Sequence, residues 1–136
     1  MSYKLIEIEG IGPTYSATLE EKLGITKVDE LLEMGASKKG REEIAEKTGI
    51  SEKLVLRWVN MADLFRIKGV GEEYSDLLEA SGVDTVKELR NRVPANLHAK
   101  MLEVNEEKKL VRRTPNLSDV ESWVAQAKEM EPKVTH

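Results

Sequence analysis

The feature that most constrains the fold is that the chain is written twice. Gly10-Ile11-Gly12 opens the stretch GIGPTYSATL, and Gly69-Val70-Gly71 opens GVGEEYSDLL. Laid over one another, they share both glycines, the tyrosine, the serine and the final leucine. A one-residue deletion then sets GITKVDELL over GVDTVKELR, pairing Gly24 with Gly82, Val28 with Val86 and Leu31 with Leu89. The likeness continues further on, because VLRWVNMA (55–62) and VESWVAQA (120–127) both read V-x-x-W-V-x-x-A. That spacing places Val, Trp and Ala on one face of a helix, so Trp58 and Trp123 are expected in the core rather than as stacking platforms. A period of this length means one structural unit used twice. The expected domains are 1–62 and 63–136, each a hairpin followed by two further helices. The junction VNMADLFRIKG has no proline and no polar linker, so the copies are expected to pack as one body around a shared core.

The helix signals agree with an all-α fold. Pro13 stands where a first-turn proline is tolerated. Gly24 and Gly82 fall where a left-handed residue ends a helix. Thr26 and Asp84 are the expected caps of the next helices, Ser51 of the first Trp helix, and Ser118 with Glu121 of the last. Pro94 is expected to end the helix before it. Only KLIEI alternates like a strand, and it is too short and isolated to build a sheet.

The Gly-apolar-Gly turn has a physical logic. Glycine admits positive φ and lets a second helix, or a ligand, come close. The residue between the glycines, Ile11 or Val70, plugs the core, and Ser16 or Ser75 permits close helix contact. Beyond the turn, the first amides of the new helix lack intrahelical acceptors and carry the positive end of the helix dipole, which suits a phosphate.

On these residues the chain resembles the helix-hairpin-helix family of DNA-repair and replication proteins, at 8–32 and 67–90. The resemblance implies that main-chain amides at Gly10, Ile11, Gly12 and Thr14, and at Gly69 and Gly71, grip a DNA backbone phosphate without reading sequence. It also implies that a monovalent cation can sit on the turn carbonyls; no other cofactor is expected. With AEKTGISEKLVLRWVNMADL and NLHAKMLEVNEEKKLVRR included, the whole chain resembles an uncharacterised bacterial family of tandem helix-hairpin-helix proteins. It departs from the hairpin pattern two residues after the second glycine, where DNA-gripping turns often carry Lys or Arg. Thr14 stands there in the first copy and Glu73, beside Glu72, in the second. Two carboxylates at a helix start repel phosphate. The first turn, with Thr14 as a hydroxyl donor and Lys4 and Lys22 near it in sequence, is the better candidate.

Charge sharpens this. Residues 1–62 hold nine Lys+Arg against eleven Asp+Glu, and 63–136 hold twelve against fourteen. Each copy is therefore −2, and contact with a polyanion must come from a local patch. The densest cluster is KKLVRR: Lys108, Lys109, Arg112 and Arg113 would share one face if helical. SKKGR (37–41) reads as plain surface. Tyr15 and Tyr74 are open between packing and ligand contact.

Chemistry is sparsely represented. There are no cysteines, which removes disulfides, thiolate metal sites and cysteine nucleophiles. His98, the sole internal histidine, has no catalytic neighbours in sequence, and no nucleotide-loop, zinc or calcium signature occurs. The expectation is a non-catalytic module. No run approaches a membrane span, and the opening MSYKLIEIEG has no signal-peptide core, so a cytoplasmic location is expected. Two partner readings stay open: nucleic-acid backbone, DNA foremost, or a protein partner, including a homodimer, with the hairpin kept for packing alone.

Overall fold

The computed structural model describes residues 3–135. Among them are eight α-helices and no strand, so the fold is all-helical. The chain divides into two units, Met1–Asp63 with Lys133–His136, and Leu64–Pro132.

In the first unit, KLIEI forms a 3-10 helix (Leu5–Glu7) preceded by a single antiparallel bridge, Lys4 to Lys27. Helices α1 (Pro13–Leu23), α2 (Val28–Gly35), α3 (Lys38–Thr48) and α4 (Glu52–Leu64) follow. Pro13 is the first residue of α1, and Gly24 closes it in the left-handed region at φ 71°. Thr26 does not cap α2. The cap position is Lys27, and the Glu30 carboxylate reaches back to accept from the Thr26 and Lys27 amides at 2.9 and 3.0 Å. Those two amides, Thr26 foremost, hold the Glu30 carboxyl below its usual range. Ser51 caps α4 as expected, its hydroxyl accepting from the Leu54 amide at 3.2 Å. Val55, Trp58 and Ala62 are all buried on α4.

Arg41 corrects the reading of SKKGR as surface. It is 5% exposed. Its guanidinium donates to the Gly35 and Ala36 carbonyls at the end of α2, at 2.9 and 3.0 Å, and to Thr135 at 2.6 Å. The Thr135 amide in turn donates to Ala36, and Val134 is buried. The C-terminal segment is thus tied to the end of α2 by Arg41 and by the Thr135 amide, using carbonyls that a helix end leaves free.

The second unit holds α5 (Glu72–Ala80), α6 (Val86–Leu89), α7 (Pro94–Lys108) and α8 (Leu117–Lys128). Its core gathers Leu77, Leu78, Val86, Leu89, Met101 and Trp123, among others. Gly82, at φ 95°, follows the end of α5, and the Val83 amide bonds back to Leu78. Three expected signals shift. Thr85, not Asp84, caps α6, accepting from the Glu88 amide. Asn116 with Asp119, not Ser118 with Glu121, makes the capping box of α8, and Ser118 merely donates to Asn116. Pro94 opens α7, whereas α6 has already ended at Leu89.

The largest departure is at KKLVRR. Helix α7 stops at Lys108, and Lys109 takes a left-handed conformation, φ 52° and ψ 49°. The Asn105 side chain clamps the reversal, accepting from the Val111 amide at 2.9 Å and donating to the Val111 carbonyl at 3.1 Å. Val111 is buried. Lys109 is the sole non-glycine with positive φ among the described residues. A side chain there costs about 1–2 kcal/mol, partly offset because glycine loses more chain entropy on folding. Lys109→Gly is therefore expected to raise stability by up to about 1 kcal/mol, measured by urea unfolding; a loss would contradict this account of the helix stop.

Candidate functional site

Both glycine turns carry the same hydrogen bonds. In the first, Ile8, Ile11 and Ser16 amides donate to Leu5, Ile8 and Gly12 carbonyls; in the second, Ile67, Val70 and Ser75 donate to Leu64, Ile67 and Gly71. Gly10 and Gly69 stand at φ 95° and 98°, a region that only glycine enters freely. Ile11 and Val70 are buried and plug the core beneath.

Each turn leans on the tryptophan of its own unit. A Cβ on Gly10 would lie 3.4 Å from Trp58 Nε1, and one on Gly69 would lie 3.1 Å from Trp123 Nε1. The indoles also meet the tyrosines of the following helix, with ring centroids 4.9 Å apart for Tyr15–Trp58 and 5.2 Å for Tyr74–Trp123. Both tryptophans are buried, as their spacing predicts, and Tyr15 and Tyr74 pack on them. Sequence reasoning placed the indoles in the core but missed that they are the floor of the turns. The signal was there, since both indoles recur in step with the glycines.

The second glycines are different. Gly12 has φ −84° and ψ −176° and Gly71 φ −123° and ψ −150°, and a Cβ on either would meet nothing within 4 Å. The cap residues of α1 and α5 are Gly12 and Gly71, which have no side chain to bond the first-turn amides. Pro13, Thr14 and Tyr15 are exposed, so the start of α1 faces solvent.

The surroundings of the two turns diverge. The Gln126 side chain clamps the second turn, accepting from the Lys68 amide at 2.8 Å and donating to the Lys68 carbonyl at 3.1 Å. Met61 holds the corresponding place in the first copy, and a thioether cannot supply that pair of bonds. Lys22 does not flank the first turn. It lies in the last turn of α1, about 12 Å along the axis from Thr14. Lys4, with Lys27, Ser16 and Glu20, lines a cavity of about 260 Å³ on the flank of α1. Lys27 is a neighbour that sequence order concealed.

The basic cluster belongs with the second turn, not with a helix face. Arg112 Nε stands 3.9 Å from Glu73 Oε1, and the Tyr74 hydroxyl donates to the Arg113 carbonyl at 2.9 Å. Burial, then Asp119, pushes the Tyr74 phenol above its usual value, so the hydroxyl keeps the proton it donates. Lys108, Lys109, Arg112 and Arg113 are all exposed. His98 is engaged, Nε2 at 3.0 Å from the Pro115 carbonyl. Among the described residues no helix is long and apolar enough to cross a membrane.

No solved structure matches the chain. A family model described as Domain of unknown function (DUF4332) matches residues 9–130, a span that takes in both glycine turns and α1 to α8, and the chain belongs to that family.

Proposed function

We propose that the two turns are helix-hairpin-helix elements and that the protein is a non-catalytic binding module. Its first turn, Gly10–Ser16, makes a sequence-independent contact with a nucleic-acid backbone. The observation that carries this reading is Gly12. Its backbone is open to any residue, and a Cβ would touch nothing in the chain, so neither conformation nor packing asks for glycine there. A phosphate approaching the amides of the first turn of α1 would ask for it. The exposed side chains of Lys108, Lys109 and Arg113 add attraction that salt screens, while Arg112 is partly spent on Glu73.

The test is a fluorescence-polarisation titration on mixed-sequence duplex DNA. Affinity falls steeply with added salt, and falls further when Lys108, Lys109, Arg112 and Arg113 become Glu. Gly12→Ala is expected to keep the stability of the parent within about 0.5 kcal/mol yet weaken binding by about tenfold. No binding at low salt ends the proposal.

The acidic head of the second turn, Glu72 and Glu73, favours a second reading, a protein-interaction or oligomerisation scaffold that keeps the hairpins for packing. Light scattering and a pulldown distinguish the two: a stable dimer or a specific protein partner, with no DNA response, decides for the scaffold.

A further inference from the structure

Residues 133–135 belong to the first unit, although Leu64–Pro132 form the second. They make a short arm with a defined seat. Val134 is 5% exposed. The Thr135 amide donates to the Ala36 carbonyl at 2.8 Å, and Arg41 donates to the Thr135 carbonyl at 2.6 Å. The seat is the end of α2 and the start of α3, and these bonds span 94 and 99 residues of sequence. Covalent continuity plays no part in them, so the same arm on another copy of the chain would make them equally well. The connector is bare. Glu131, Pro132 and Lys133 are exposed, Pro132 has no amide to donate, and just upstream Arg66 donates to the Glu131 carbonyl at 2.8 Å. A short exposed hinge leading to a small, self-contained anchor is the arrangement from which identical elements are exchanged between chains.

We propose that the arm Lys133–Thr135 of one chain seats on the α2 end of a second copy, and the reverse, giving a dimer closed by reciprocal exchange. Reciprocity leaves no seat empty and no arm unpaired, so every arm contact of the closed monomer is kept. In the monomer's favour stands the high effective concentration of its own arm; the dimer fraction therefore grows with protein concentration. This interface uses neither glycine turn and does not depend on nucleic-acid binding.

The chain has no cysteines, so introduced ones report cleanly. A main-chain bond joins Thr135 to Ala36, which puts cysteines at these positions within the span of a disulfide. Full-length A36C and T135C are mixed, unfolded in urea, refolded together at high concentration and oxidised. The mixed disulfide dimer should exceed either like-with-like dimer several-fold. Light scattering of the parent should show a dimer fraction that rises with concentration, and V134D, which puts a charge where the arm is buried, should lose it. The double variant A36C/T135C checks the seat itself, and in dilute solution it should close its disulfide within one chain. Four results would overturn the proposal: a parent monomeric at every concentration, a mixed disulfide no more abundant than the like pairs, a double variant that does not close, or a dimer undiminished in V134D. The last would leave the scaffold reading standing while removing this interface.

Discussion

Replacing Trp58 by alanine is expected to lower the unfolding free energy by about 3–5 kcal/mol, the range for deleting a large aromatic from a packed core. Trp58 is 1% exposed, and its ring lies against both Gly10 and Tyr15, so the cavity would open directly beneath the first turn. Domains of this size hold roughly 5–15 kcal/mol in all, and such a loss takes a large share. Trp58→Phe should cost much less. Phenylalanine keeps an aromatic ring against the turn, and no hydrogen bond is lost, because Trp58 Nε1 is buried without a partner among the described residues. An indole N–H in that state carries its desolvation cost uncompensated. Urea unfolding followed by circular dichroism gives both values, and in either variant Trp123 remains as the one fluorescent indole reporting on the second unit. Equal losses for the two variants, or less than about 1 kcal/mol for alanine, would mean that the indole does not support the turn.

Gly40→Ala is expected to destabilise the protein even though it places the best helix former inside a helix. Intrinsic propensity favours the change by about 1 kcal/mol. Opposing it, a Cβ on Gly40 would lie 2.0 Å from the Met34 carbonyl oxygen. That atom is main chain, so relief requires α3 to move away from the end of α2 rather than a side chain to rotate. Overpacking of this kind costs typically about 1–3 kcal/mol and sometimes more, and displacing α3 would also disturb the three carbonyl contacts of Arg41. A net loss of about 2 kcal/mol or more is expected. Gly12→Ala is the control: there the Cβ meets nothing, and stability should hardly change. Thermal unfolding of the two variants beside the parent decides the matter, and a Gly40→Ala protein as stable as the parent would mean that α2 and α3 do not approach as described.

Much of this architecture was legible in the residues because it follows from local rules and from duplication. The glycines with positive φ, the helix that starts at Pro13, the buried Val-Trp-Ala faces and the plugs Ile11 and Val70 each answer a constraint that reaches only a few residues along the chain. Capping signals were displaced by one or two positions where competing residues stood side by side. Asp84 and Thr85 can both cap, as can Asn116 and Ser118, and the choice falls to the residue whose backbone is already extended at the helix boundary.

What tertiary structure alone decided concerns residues whose partners lie far away in sequence. Arg41 looks like surface until Thr135 is brought to it, 94 residues on. The run KKLVRR reads as a basic helix face until the helix stops at Lys108 and Asn105 clamps the Val111 backbone. Arg112 then meets Glu73 and Arg113 meets Tyr74, 39 residues apart in each case. Periodicity describes which face of a helix is apolar; it does not say which distant segment that helix will meet, because those contacts are made between parts of the chain far apart in sequence.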